Sequence, residues 1–79
     1  MMTLAELEMT LRAEANMQDP AQRMMVQAIY SVATRGSILD SRLIEQQTPA
    51  QLRSLIQRGA RAVGAGSQRD AERWIRQNI

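Results

Sequence analysis

Arg69, Arg73 and Arg76 stand at i, i+4 and i+7 near the end of the chain. On a helix that spacing puts all three on one face. A guanidinium stays charged at any ordinary pH and presents a planar fork of donors that matches carboxylate and phosphate. The chemistry this stripe can do is anion recognition, and Arg58 and Arg61 extend it upstream. Nothing beside it extends toward catalysis. The chain has no His and no Cys, and all ten of its cationic residues are Arg. Without His, the usual general base and the commonest metal ligand are missing. Without Cys there is no thiolate, disulfide or Cys-based zinc site. Without Lys there is no Schiff base and no phosphate-binding P-loop lysine. Glu6 and Glu8 are two apart and diverge on a helix, and Glu14 and Asp19 straddle a turn. None makes a paired-carboxylate acid/base site or a metal cluster. The expectation is a protein without catalytic residues, metal, cofactor or small-molecule substrate.

The elements that position these side chains are written in helix-capping chemistry. Thr3-x-x-Glu6 forms a capping box, in which the hydroxyl accepts from an orphan amide and the carboxylate reaches back to the cap. Asp19-Pro20 and Thr48-Pro49 each place a capping oxygen before a proline at the first helical position, where a missing N–H costs nothing. Ser67-x-x-Asp70 is a weaker start of the same kind. Gly36 reads as a left-handed cap after Thr34-Arg35, and Gly64-Ala65-Gly66 breaks the chain before the last segment. Apolar residues between these marks recur with helical period. The reading is all-α: four helices at about 4–16, 20–35, 49–63 and 68–78, with one short helical turn at about 41–46 capped by Asp40, in one domain spanning 1–79.

The expected core is Leu4, Leu7, Leu11, Met25, Ala28, Ile29, Val32, Leu39, Leu43, Leu52, Leu55, Ile56, Val63, Trp74 and Ile75. The second helix is apolar over more than half its circumference, with Val26 and Tyr30 widening its arc, so it is either central or faces a second chain. Met17, Met24 and Met25 read as adaptable core filler. Gly inside a helix costs about 1 kcal/mol relative to Ala, so Gly59 implies close approach of another helix backbone, from the same chain or from a partner. Trp74 shares a face with Ala71 and Ile75 and docks the last helix. The chain has 79 residues and only two aromatics. A domain that small hides about 60% of its unfolded surface, which favours self-association as a homodimer.

Charge is unevenly spread. Residues 1–20 hold Glu6, Glu8, Glu14 and Asp19 against Arg12, while 53–76 hold six Arg against Asp70 and Glu72, within a net charge of +2. Thr48 to Gln77 loosely resembles a helix-turn-helix: a Pro-capped helix, a Gly-containing turn, then Ser67-Gln68-Arg69-Asp70 opening a second helix. The leading functional expectation is a non-enzymatic protein-binding module, an adaptor, inhibitor or regulator, with partner-binding residues Arg69, Arg73, Arg76, Arg58, Arg61 and Tyr30. The alternative is a small DNA-binding regulator using the Arg face of the last helix. The start of the chain is acidic, unlike a secretory signal, and no apolar run approaches the roughly 18 residues of a membrane span. The expected location is the cytoplasm.

Overall fold

The computed structural model describes residues 1–79 as five helices: α1 (Leu4–Glu14), α2 (Pro20–Arg35), α3 (Ile38–Glu45), α4 (Pro49–Val63) and α5 (Gln68–Asn78). The all-α reading stands. Four of the five starts follow the capping signals read from the sequence. Thr3 and Thr48 form full capping boxes with Glu6 and Gln51. Asp19 accepts from the Ala21 amide at 3.0 Å ahead of Pro20, and Ser67 accepts from the Asp70 amide at 3.1 Å. α1 stops at Glu14, short of the expected 16. There the chain turns through Asn16, whose amide donates to Gln22 Oε1 at 2.8 Å and whose Oδ1 accepts from the Gln18 amide at 3.1 Å.

α2 is the axis of the packing, and each of the other four helices rests on it. Met25, Val26, Ala28, Ile29, Val32 and Ala33 are all buried along it. Its wide apolar arc is therefore covered within the chain, and that ground for a second chain is gone. α1 and α5 also both pack on α4. Leu7 and Leu11 enter the core from α1, Ile44 from α3, Leu52, Leu55 and Ile56 from α4, and Ala71 and Ile75 from α5. Met25 is fully buried, while Met17 and Met24 pack against the core from its edge, as gap-filling methionines do.

The third helix departs from the sequence reading. It begins at Ile38 and is capped by Ser37, whose hydroxyl accepts from the Asp40 amide at 3.1 Å. Ser37-x-x-Asp40 repeats the chemistry of Ser67-x-x-Asp70, so Asp40 lies inside the first turn, where its charge suits the helix dipole. The earlier start carries Leu39 out of the expected core: Ile38 is 74% and Leu39 67% exposed, and Ile44 is the residue that is buried. Leu4, in the first turn of α1, is likewise exposed. Leu43, Val63 and Trp74 are half-buried rather than enclosed.

Two glycines do work the spacing misassigns or only hints at. Gly36 is not left-handed; its backbone is extended, at φ −78°. It is glycine because a Cβ there would stand 2.4 Å from the Val32 carbonyl oxygen. Gly59 is buried in mid-helix, and a Cβ there would meet Met25 Cε at 2.2 Å and the Trp74 ring at 2.9 Å. The close approach is made by side chains of α2 and α5, and the absent methyl is what lets Trp74 lie down. The left-handed position belongs to Gly64, at φ +68°, which ends α4.

No helix is long and apolar enough to cross a membrane.

Candidate functional site

The surface that carries the arginines is built by burying the opposite side of α5. Ala71 and Ile75 are fully enclosed, and Trp74 packs at the core edge. With that side fixed, the helical repeat leaves Arg69, Arg73 and Arg76 exposed. Arg73 faces Asp70 at 3.6 Å and Arg76 faces Glu72 at 3.9 Å. Both contacts are long for charge-assisted hydrogen bonds. Glu72 also accepts from Gln68 at 3.0 Å. Arg69 has no carboxylate partner.

On α4, Arg58 and Arg61 are exposed as expected. Arg61 makes a marginal 3.5 Å contact to the Gln57 carbonyl. Arg58 is held more firmly. Its Nε donates to Ser54 Oγ at 3.2 Å, and its guanidinium carbon lies 5.8 Å from the centroid of the Trp74 ring. That distance is within cation–π range. The Trp74 contact links α4 to α5 and joins the two arginine-bearing helices into one face. The Ser54–Arg58 spacing is legible as an i,i+4 pair. The contact to Trp74 depends on how α5 lies across Gly59, which no local pattern specifies.

Arg53 has a structural task instead. Its Nε and Nη2 converge on Glu14 Oε1 at 2.7 and 2.6 Å, tying α4 to the end of α1. Tyr30 stands apart from the arginine face. It lines a cleft of about 250 Å³ between α1, α2 and α5, together with Glu8, Arg12, Ser31, Arg35 and Gln68.

The carboxylates are nearly all committed to local structure. Glu8 faces Arg12 at 3.6 Å, and Asp19 caps α2. Glu6 is held below the ordinary carboxylate range, first by the Thr3 backbone amide and then by the Thr3 hydroxyl. No three carboxylates gather into a group that could hold a metal ion. By contrast, six of the ten arginines (Arg23, Arg35, Arg42, Arg58, Arg61 and Arg69) have no carboxylate partner. What the arrangement can do is bind an anionic surface.

No family model, curated protein or solved structure matches the chain.

Proposed function

We propose that the chain is a non-enzymatic protein-binding module, an adaptor, inhibitor or regulator, that occupies a partner's surface through the Arg face of α4 and α5. One observation carries this reading. Arg69, Arg73 and Arg76 project from the outer side of a helix whose inner side is fully buried, so their charge is presented without being needed to dock α5. Arg is also among the residues that dominate binding energy at interfaces. The expected location is the cytoplasm, in keeping with a chain that has no Cys. Self-association remains part of the proposal. Its support is the exposed Ile38 and Leu39 pair on α3, and its mark is a melting midpoint that rises with protein concentration.

The test is a variant with Arg69, Arg73 and Arg76 all changed to Gln. Immobilised protein is exposed to nuclease-treated extract of its own cells. Wild type retains a protein partner, and the variant loses it with an unchanged melting curve. Full retention by a folded variant removes the arginine face from the function.

A second reading is DNA binding through α5. It draws on the short connection from Gly64 to Ser67 between α4 and α5, a length that suits a helix-turn-helix. Nuclease separates the two, since arginine contacts to phosphate and to carboxylate both weaken with salt. Partner capture that vanishes after nuclease treatment favours this second reading.

A further inference from the structure

We infer that Arg58 is the anchor of the arginine face, and that the group it takes is a carboxylate of an acidic protein segment. The inference rests on the protein-binding reading above and names the residue and the chemistry within it. Five exposed arginines are candidates, but they are not equally organised. Arg69 has no partner, Arg61 has one marginal contact, and Arg73 and Arg76 reach acids only at 3.6 and 3.9 Å. Arg58 is seated twice, by Ser54 Oγ on its Nε at 3.2 Å and by the Trp74 ring, whose centroid lies 5.8 Å from its guanidinium carbon. Neither contact uses Nη1 or Nη2. The fork that remains is restrained by these two contacts, so less rotamer freedom is lost when an anion docks on it. Trp74 is itself immobilised, because its ring lies against Gly59 beside the buried Met25. The seat is therefore tied to the core.

The surroundings favour carboxylate over nucleic acid. Asp70 and Glu72 interrupt the α5 stripe and face Arg73 and Arg76. A phosphate backbone lying along α5 would meet both acids. A short acidic segment can place a carboxylate on Arg58, which stands on α4, without running along α5 past them.

The experiment uses the full chain with a labelled short poly-glutamate peptide as probe, a duplex DNA in parallel, and anisotropy as the readout. Wild type binds the peptide saturably at low salt, and the Trp74 emission shifts as it does. Arg58→Gln weakens binding about tenfold, while Arg61→Gln, which removes the same charge, weakens it about twofold. Arg58→Lys stays weakened, because it keeps the charge and loses the fork. Thermal melting confirms that each variant is folded. Equal losses for Arg58→Gln and Arg61→Gln overturn the anchor, as does the absence of saturable peptide binding. Tighter binding to the duplex overturns the carboxylate. If Arg58→Gln binds normally while the Arg69, Arg73 and Arg76 triple variant loses the natural partner, this inference falls and the proposed function stands. If the triple variant also keeps its natural partner, both fall.

Discussion

α1 and α5 are built alike and used differently. Each is an eleven-residue helix that buries two residues, Leu7 and Leu11 in one case and Ala71 and Ile75 in the other. Each packs on both α2 and α4. Their outer surfaces part company. On α1, Glu6 closes a capping box, Glu8 lies beside Arg12 and Glu14 is bound by Arg53. On α5, the arginines meet acids loosely or not at all. The lesson is that docking settles which side of a helix is outside, and leaves open whether that side serves the fold or a partner. In α1 the charges serve the fold. In α5 they are surplus to it.

The comparison breaks first at the docked sides. Leu11→Ala and Ile75→Ala each leave a cavity under a fully buried position, and each is expected to cost about 2–5 kcal/mol by denaturant titration. A silent Ile75→Ala would mean that α5 is not held as α1 is. Next is Gly59→Ala, which sets a methyl against Met25 and Trp74. Overpacking of this kind costs about 1–3 kcal/mol, more than the helical preference of Ala returns, and the Trp74 emission should shift with it. A smaller effect sharpens the contrast of the outer sides. Arg53→Gln removes a pair whose acid is 17% exposed and should lower stability by about 0.5–1 kcal/mol. Each of the α5 changes Arg69→Gln, Arg73→Gln and Arg76→Gln should move stability by no more than about 0.5 kcal/mol. The smallest effect is at Glu6. Its folded pKa is depressed, so its contribution is present above the unfolded carboxylate pKa and is lost as pH falls through the folded value. Acidification should fray the first turn of α1, read as a loss of amide protection beyond the intrinsic pH dependence of exchange, and Glu6→Gln should remove that pH dependence.

Much of this frame was legible from capping chemistry alone. Thr3, Asp19, Thr48 and Ser67 mark four starts because each bond they make is local, within three residues of the cap. The short helix starts three residues earlier than the sequence suggests because Asp40 offers a cap while Ser37, three residues upstream, competes for the same turn and takes it. That shift put Leu39 in the expected core and left Ile44 out of it. The arginine stripe of α5 followed from the period, and its exposure followed from Ala71 and Ile75 taking the other side. What stayed hidden depends on which helices meet. Glu14 and Arg53 are 39 residues apart, and the seat of Arg58 needs α5 to cross Gly59. The breadth of the α2 apolar arc was plain, but its cover by four helices of the same chain was not, since periodicity reports that a face is buried and not by what.

The lodging of α3 has a consequence for how the molecule opens. α3 buries one residue, Ile44, and rests on α2. It is pinned at two further points. Ser41 Oγ donates to the Ala33 carbonyl at 2.7 Å, and the Met2 amide donates to the Glu45 carbonyl at 3.2 Å. So little buried surface makes α3 the cheapest element to release, in a sub-global opening well short of complete unfolding. Its amides should lose their deuterium protection before those of α2. Limited proteolysis should begin near Leu43 and Ile44 while the four longer helices are still folded.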